Sequence, residues 1–164
     1  MTLLITTSKT PIGNLNLIAD EHVLLGANLS SISALKSGLD VSDQIREIKV
    51  VKSIPIISDL IADYFDGDIS AINGISVRQP GATFSQAAWK AMRKVKAGVV
   101  ITYADLADRA GSAAAVRAAG TACAKNAIML VVPCHRIVKS GGALGNYAYG
   151  LNKKEWLLTH EGAL

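Results

Sequence analysis

The hydrophobic pattern of this 164-residue chain changes near residue 80, and that change limits the possible folds more than any other feature. Over residues 2–29, short stretches such as Asn14-Leu15-Asn16-Leu17 alternate polar and apolar residues and are separated by turn residues, which is typical of antiparallel strands. Apolar residues at helical spacing follow over residues 56–65, with Pro55 expected in the first helical turn. The pattern predicts a small N-terminal α/β domain, residues 1–80, with an antiparallel sheet and one helix.

The second part of the chain, residues 81–164, has the pattern of short helices and follows a predicted loop and brief strand over residues 66–80. Thr83-x-x-Gln86 predicts a capping box at the start of the first of these helices. Thr102 is expected to cap a second helix, and Ser112 a third. Two short helices joined by a glycine-containing turn are typical of a helix-turn-helix. The expected fold is therefore α/β (α+β), with a mainly helical C-terminal domain.

The charge of the chain is divided unevenly between these two parts. Residues 1–81 carry six basic and nine acidic side chains, a net charge of −3, whereas residues 82–164 carry eleven and four, a net charge of +7. A basic half favours contact with a polyanion such as a nucleic acid. A mixed surface charge that only keeps the protein in solution would explain the same numbers.

Small side chains dominate the third predicted helix, from Ala113 to Cys123, and Arg117 is the only long side chain in its first two turns. Small residues allow another backbone, or the groove of a nucleic acid, to approach closely. A helix packed against its neighbours, with Arg117 in solvent, fits the composition equally well.

A chemically reactive group follows the apolar run Ile128–Val132, where the sequence reads Pro133-Cys134-His135-Arg136. A cysteine beside a histidine can act as a nucleophile, because imidazole can take the thiol proton and the thiolate is the reactive species. Neighbouring residues in a strand point to opposite sides, so the two side chains can cooperate only if the backbone turns there or through a water. An inert packing cysteine is the alternative.

Metal binding and membrane insertion are not expected. The two cysteines have no Cys-x-x-Cys partner and the three histidines are far apart, so no zinc site of standard spacing can be drawn. The apolar runs are much shorter than the roughly 18 residues that a membrane helix needs. Residues 1–8 lack the pattern of a secretory signal, so we expect a cytoplasmic protein, associated with the nucleoid in a prokaryote or nuclear in a eukaryote.

The heptapeptide Val132–Val138, Val-Pro-Cys-His-Arg-Ile-Val, resembles the active-site motif of the O6-alkylguanine-DNA alkyltransferases, also called methylated-DNA–protein-cysteine methyltransferases. The resemblance is specific over residues 83–162 and weaker over residues 1–80. Other matching features are Thr102-Tyr103, Arg117, Asn126, Gly145-Asn146-Tyr147 and the closing Lys154-Glu155-Trp156. The chain departs from the family at Ala127 and Met129, where proline is frequent, and at Tyr149, where glycine is common.

The resemblance implies direct reversal of DNA damage. A member of this family flips O6-alkylguanine, and by extension O4-alkylthymine, out of double-stranded DNA and transfers the alkyl group irreversibly to its motif cysteine, here Cys134. The thioether product has no leaving group that water easily displaces, so each molecule would act once. The alkyl donor is the DNA itself, so no cofactor is implied, and the protein is expected to be a monomer.

The resemblance also implies roles for individual residues. Cys134 would be the nucleophile, His135 would take its proton through a water, and Glu161 would stabilise the imidazolium. Asn126 would brace the turn that carries the thiol, and Tyr103 would stand between the flanking phosphate and the extruded base. The residues expected to contact DNA are Thr102, Tyr103, Arg117, Ala118, Gly120, Lys125 and Arg136. Those expected to line the base pocket are Met129, Ile137, Tyr147 and Ala148.

Three other functions compete with this one. A non-catalytic protein that only binds alkylated DNA would have another residue in place of Cys134. A small cysteine hydrolase would use Cys134 and His135 on an acyl substrate, but it gives no role to Arg117 or the basic half. A plain helix-turn-helix regulator would not need the Pro-Cys-His-Arg sequence and would usually dimerise on paired half-sites.

Overall fold

The computed structural model describes residues 2–164, which separate into two units. The first unit comprises the described residues up to Pro80 together with the segment Ala127–Val131, and the second comprises Gly81–Asn126 and Val132–Leu164. The mixed α/β fold class is confirmed. The segment Ala127–Val131 differs from the expected division, because the sequence pattern assigned it to residues 81–164. The assignment of separate functions to the two domains stays a prediction.

The first unit is built on a five-stranded sheet. Its strands are β1 (Leu3–Thr10), β2 (Gly13–Asp20), β3 (Val23–Asn28), β4 (Ile48–Val50) and β5 (Ser76–Val77), in the order β4-β1-β2-β3-β5. β1, β2 and β3 are antiparallel, as the sequence predicts, while β4 runs parallel to β1 and β5 parallel to β3.

The polar residue Asn16 in the centre of β2 is buried, although the alternating pattern predicts a solvent-exposed position. Its amide nitrogen donates to Asn28 Oδ1 at 3.1 Å, and its amide oxygen accepts from Thr7 Oγ1 at 2.7 Å. Hydrogen bonding within the sheet therefore takes the place of water at this position.

Three α-helices complete the first unit: α1 (Ile32–Ser37), α2 (Val41–Gln44) and α3 (Ile57–Phe65). Leu35 of α1 packs with Leu3, Ile5 and Ile18 in a buried cluster. The predicted helix is present as α3, but Pro55 lies before it rather than in its first turn. Ile56 has a φ of 71°, and Ile57 N donates to Pro55 O at 2.8 Å, so a tight turn separates the proline from the helix. The brief strand expected in residues 66–80 is β5, and a 3-10 helix, Ile69–Gly74, precedes it.

The second unit is mainly helical. Its helices are α4 (Thr83–Arg93), α5 (Tyr103–Arg109), α6 (Val116–Ala124) and α7 (Leu151–His160), and the strands β6 (Ile101–Thr102) and β7 (Ile137–Val138) pair in parallel. None of the helices in the described residues is both long enough and apolar enough to cross a membrane.

Of the three N-terminal caps predicted in the second unit, only the one at Thr102 is confirmed. Thr102 caps α5 in a reciprocal capping box with Asp105, with both hydrogen bonds at 3.1 Å. The predicted caps at Thr83 and Ser112 are wrong. Thr83 is already the first residue of α4, which has no side-chain cap. α6 begins at Val116, because residues 112–115 form a turn in which Ala115 N donates to Ser112 O.

Candidate active site

The backbone turns sharply where it reaches the candidate nucleophile, Cys134. Pro133 has φ −83° and ψ 67°, and Cys134 N donates to Val132 O at 2.8 Å, which closes an inverse γ-turn. A 3-10 helix, Cys134–Arg136, follows at once. This is the turn that the sequence interpretation requires if Cys134 and His135 are to act together.

Asn126 supports this turn from the end of α6. Its amide nitrogen donates to Val132 O at 2.8 Å, the same carbonyl oxygen that accepts the Cys134 N–H. Its side chain also hydrogen-bonds to the Cys134 thiol, in the sense that stabilises a thiolate. The structure thus places Asn126 at the turn that carries the thiol, where the sequence interpretation expects it, while its part in a reaction stays a prediction.

A buried cluster of three charged or ionisable side chains lies next to the nucleophile in the sequence. His135 Nε2 is 2.8 Å from Glu161 Oε2, and Arg136 binds both oxygens of the same carboxylate, with Nε to Oε1 and Nη2 to Oε2 each at 2.9 Å. Arg136 Nη1 donates to Val95 O at 2.7 Å. The side chains of His135 and Glu161 are 0% exposed and that of Arg136 is 3% exposed. We call these three residues the Glu161 cluster.

Electrostatics sets the protonation states in the Glu161 cluster. Burial lowers the pKa of His135, and the hydrogen bond to Glu161 opposes this only in part. Burial alone would raise the pKa of Glu161, but the hydrogen bonds from His135 and Arg136 outweigh it and hold that pKa well below its ordinary value. At neutral pH the histidine is therefore neutral and the carboxylate is charged.

The tautomer of His135 follows from its partner. A carboxylate can only accept, so Nε2 carries the proton and Nδ1 carries the lone pair. Within the described residues, Nδ1 is buried and has no hydrogen-bond partner. His135 is thus a neutral base whose accepting nitrogen is available and whose other nitrogen is held by a carboxylate.

Cys134 is buried, with 8% of the residue exposed, and burial raises the pKa of its thiol. The hydrogen bond from Asn126 and the charge of Lys154 act in the opposite direction without cancelling the effect of burial. The resting side chain is therefore a thiol, and a base must remove its proton before it can act as a nucleophile.

Lys154 is a site residue to which the sequence assigns no role beyond its place in the closing Lys154-Glu155-Trp156 motif. It is fully buried, and its Nζ donates to Ile137 O at 2.6 Å and to Asn146 O at 3.3 Å. Burial lowers its pKa, while a charge on Cys134 acts in the opposite direction. Its spacing to the buried Leu157 and Leu158 places it on the inner face of α7, and that spacing is the signal that could have identified it.

Three tyrosines belong to the same unit as the thiol. Burial raises the pKa of Tyr103 to about 12, and the neighbouring Cys123 and Cys134 act in the same direction. Burial, with Cys134, likewise raises the pKa of Tyr149 to about 12. The rings of Tyr147 and Tyr149 pack edge to face, with their centroids 5.5 Å apart. Tyr149, at which the sequence departs from the family, is therefore an additional residue near the thiol.

Gly145 allows the loop before α7 to pass close to Tyr103. Its φ is 79°, and a Cβ atom there would lie 3.3 Å from the Tyr103 hydroxyl oxygen. A side chain at this position would press on Tyr103 and strain the backbone.

Arg136 is the one expected DNA contact that the structure contradicts. Its guanidinium is buried and bound to Glu161 and Val95, so it is not available to a phosphate. Arg136 instead neutralises the Glu161 carboxylate in the interior, because a buried carboxylate requires a charged partner.

The other expected DNA contacts lie at or near the surface of the second unit. Arg117 and Lys125 are exposed, whereas Thr102, Ala118 and Gly120 are partly buried. A Cβ atom at Gly120 would meet no other atom within 4 Å, so packing does not require a glycine there.

The expected pocket residues have different surroundings. Ile137 is buried and Ala148 exposed, and Met129 is buried within the first unit. Their contact with a base stays a prediction. Among the described residues, no group of histidine, cysteine or acidic side chains could hold a metal ion.

Fold and site together define a class of protein: a two-unit α/β protein in which a buried cysteine is followed by a histidine held by a carboxylate. Residues 83–163 match the family model described as the DNA-binding domain of 6-O-methylguanine DNA methyltransferase. A methylated-DNA–protein-cysteine methyltransferase of Methanosarcina acetivorans is 31% identical over 159 residues, which cover 94% of this chain and 96% of that protein. The chain belongs to the methylated-DNA–protein-cysteine methyltransferase family, and the resemblance of its motifs is confirmed.

Three further comparisons agree. The Salmonella typhimurium enzyme of the same name is 43% identical over 108 residues, a match that spans 66% of this chain and 63% of that protein. The crystal structure of Mycobacterium tuberculosis O6-methylguanine methyltransferase superposes with a TM-score of 0.77 at 28% identity and covers 98% of this chain and 93% of that one. The structure of M. tuberculosis OGT in complex with DNA gives a TM-score of 0.79 at 28% identity, with the same coverage.

Proposed function

We propose that this protein repairs alkylated DNA by direct reversal, moving the alkyl group of O6-alkylguanine onto Cys134 once per molecule. The observation that carries the proposal is the Glu161 cluster beside Cys134, with a neutral His135 whose Nε2 is bound at 2.8 Å and whose Nδ1 can accept a proton. Membership in the methyltransferase family supports the choice of substrate.

The first step is removal of the thiol proton. His135 Nδ1 takes the proton of Cys134 through a water, and Glu161 stabilises the resulting imidazolium. The hydrogen bond from Asn126 stabilises the thiolate while it is desolvated. The cluster therefore performs the role of a catalytic triad in which the nucleophile is a thiolate.

The second step is displacement at the alkyl carbon. A bond forms between Cys134 Sγ and the carbon, the bond from that carbon to O6 breaks, and the electron pair stays with the guanine, which regains a proton. Tyr103 remains protonated, because its pKa is about 12, and can donate a hydrogen bond to the base as charge develops on it. The thioether cannot be hydrolysed easily, so the protein is consumed, and no cofactor is required.

Duplex DNA containing the lesion is the proposed partner, and α6 is the proposed contact surface. The residues from 82 onward carry a net charge of +7, which favours phosphate contacts. Arg117 is exposed on this helix, and Gly120 is a glycine that packing does not require. We propose that the small residues admit the helix to the minor groove and that Arg117 fills the gap left by the flipped base.

The substrate range is proposed to extend to O4-alkylthymine. The protein would act as a monomer, in the cytoplasm or nucleus where the DNA is.

Intact mass measurement after incubation with a duplex that contains O6-methylguanine tests the proposal. We expect one methyl group per molecule, mapped to the peptide that holds Cys134. Cys134→Ala should give no adduct and keep most of its DNA affinity, and Cys123→Ala, the matched control, should be methylated normally. A methyl group on Cys123, or repeated turnover, would contradict the mechanism. Binding of the lesion without transfer would indicate a damage-recognition protein instead.

A further inference from the structure

The segment Ala127–Val131 lies directly before the motif that carries the nucleophile, yet it belongs to the first unit. The residues on either side of it, Asn126 and Val132, belong to the second unit. The chain therefore belongs to the first unit for five residues and leaves it after Val131, three residues before Cys134. Whatever fixes this segment also restricts where the chain can present the thiol.

Backbone hydrogen bonds to β3 hold the first half of the segment. Ala27 N donates to Ala127 O at 2.9 Å, and Met129 N donates to Ala27 O at 3.1 Å, so Ile128 forms a parallel bridge with Ala27. The two bonds to Ala27 use the Ala127 carbonyl and the Met129 N–H. The Ala127 N–H lies outside the bridge and needs another acceptor.

The side chain of Gln79 supplies that acceptor. Its Oε1 accepts the Ala127 N–H at 2.8 Å, and the residue is 8% exposed. The preceding residue is itself fixed, since Arg78 N donates to Leu24 O at 3.1 Å at the end of the β3–β5 pairing. Gln79 thus connects the sheet of the first unit to the start of the segment.

The second half of the segment has a backbone that needs such support. Leu130 is fully buried with a φ of 73°, and Val131 N donates to Met129 O at 2.9 Å, a tight turn that a branched side chain rarely adopts. Strained turns of this kind persist only where the surrounding structure holds them. The turn at Pro133 then follows, and Asn126 Nδ2 closes the base of the segment on Val132 O.

We propose that Gln79 is a positioning residue for alkyl transfer: its bond to Ala127 fixes the segment that presents Cys134. The inference rests on the proposed function. It also gives the first unit a defined part in the reaction, because Gln79 lies far in sequence from the motif and touches none of the proposed reacting atoms.

The test uses three variants of the full chain. Gln79→Met keeps the length of the side chain but has no oxygen acceptor, and Gln79→Glu keeps an oxygen acceptor for the Ala127 N–H. Ser58→Ala is the matched control, since Ser58 Oγ accepts the Ile54 N–H at 2.8 Å in the same unit but outside this segment. For each protein we would measure the limiting rate of methyl transfer at saturating O6-methylguanine duplex, the dissociation constant for DNA and the thermal midpoint.

We expect Gln79→Met to lower the limiting transfer rate about tenfold, because a small misplacement of a reacting group is enough to cost that much. Its DNA affinity should stay within about twofold of wild type, because association rests on phosphate contacts made elsewhere. Gln79→Glu should recover most of the rate. Ser58→Ala should lower the thermal midpoint and transfer at the wild-type rate.

Some results would overturn this inference and leave the proposed function intact. One is a wild-type transfer rate for Gln79→Met. Another is an equal loss of rate in Ser58→Ala, which would point to general destabilisation. Failure of Gln79→Glu to recover any rate would also count against it, because the acceptor would then not be the essential feature. If the wild-type protein itself transfers no methyl group, the proposed function fails and this inference with it.

Discussion

Two clusters of charged side chains, one in each unit, are built from similar groups and differ in their contact with water. In the first unit, Arg46 binds both oxygens of Asp20 at 2.8 and 3.0 Å and also binds Asp43, while Arg78 binds Asp43 at 2.7 Å. We call these four residues the Asp20 cluster. Three of its side chains reach water: those of Arg46, Asp20 and Arg78 are 21, 26 and 46% exposed, and only that of Asp43, at 6%, is buried. Every side chain of the Glu161 cluster is 3% exposed or less.

The difference in exposure decides what each cluster can do. Ion pairs that water reaches are screened, and each contributes about 0–1 kcal/mol to folding. Buried pairs cannot exchange a lost partner for water, and a titratable group within them acquires a shifted pKa. Arginine lowers the pKa of the carboxyl groups in both clusters, but only the Glu161 cluster contains a base with an available nitrogen. Burial thus gives the Glu161 cluster a base that can take part in proton transfer, whereas the Asp20 cluster contributes only to folding.

The largest expected effect comes from neutralising the carboxylate of the Glu161 cluster. Glu161→Gln should slow methyl transfer about 10²-fold or more, because positioned acid–base groups contribute that much. It should also lower the free energy of unfolding by about 3–5 kcal/mol, since Arg136 would be left buried beside a neutral partner. The sequence alone predicts a loss of rate with the fold retained, because it does not reveal the bond between Arg136 and Glu161.

Asp20→Asn is the matched substitution in the Asp20 cluster, because the Asp20 side chain is 26% exposed. It should leave the transfer rate unchanged and cost less stability than Glu161→Gln. Urea unfolding and second-order transfer rates for both variants provide the measurement. Equal effects of the two substitutions would show that burial does not distinguish the clusters.

A second comparison sets the exposed Arg117 against the buried Arg136. Arg117→Ala should slow repair of duplex DNA about tenfold or more, because flipping a base out of the duplex costs a few kcal/mol. It should have little effect on transfer from the free base, since a free base needs no flipping. Arg136→Met should reduce both rates together and lower the thermal midpoint, because it disturbs the Glu161 cluster. Equal losses on both substrates for Arg117→Ala would assign that residue to folding or chemistry.

The features that sequence reasoning predicted depend on nearby residues. The strands β1, β2 and β3, the helix α3 and the cap at Thr102 follow from alternation, helical spacing and a hydroxyl before a helix. Glu161 was expected to meet His135 only because of the family resemblance.

The features that the sequence does not predict depend on contacts between residues far apart in the chain. Arg136 and Lys154 carry charges that normally lie at the surface, and only their partners, Glu161 and the carbonyl groups of Ile137 and Asn146, explain their burial. The association of Ala127–Val131 with the first unit likewise depends on Ala27 and Gln79, which no local pattern connects to it.

The two clusters should also differ in their response to acid. The folded pKa of His135 lies below its ordinary value of 6.5, so its contribution to stability is fully present above pH 6.5 and is lost as the pH falls toward the lowered value. The lowered pKa of Glu161 adds a further loss below its ordinary 4.5, whereas Asp20 and Asp43 contribute only below 3.8. The free energy of unfolding should therefore begin to fall near pH 6.5.

His135→Gln removes the titrating group and should delay that fall to a lower pH, while Asp43→Asn should leave its onset unchanged. Chemical denaturation at a series of pH values would measure both. A wild-type stability that is constant down to about pH 4.5 would mean that His135 is not held neutral by burial.

The smallest expected effect is the removal of Arg78, the most exposed member of the Asp20 cluster. Arg78→Ala should cost about 1 kcal/mol or less, because its side chain is 46% exposed and Arg46 still binds both carboxylates. The loss should shrink further at high salt, since screened pairs weaken with ionic strength. Arg136→Met, the matched change in the Glu161 cluster, should have a cost that salt hardly alters. Urea unfolding of both variants at low and high salt would measure the contrast, and a large, salt-independent cost for Arg78→Ala would show that exposure does not set the strength of the Asp20 cluster.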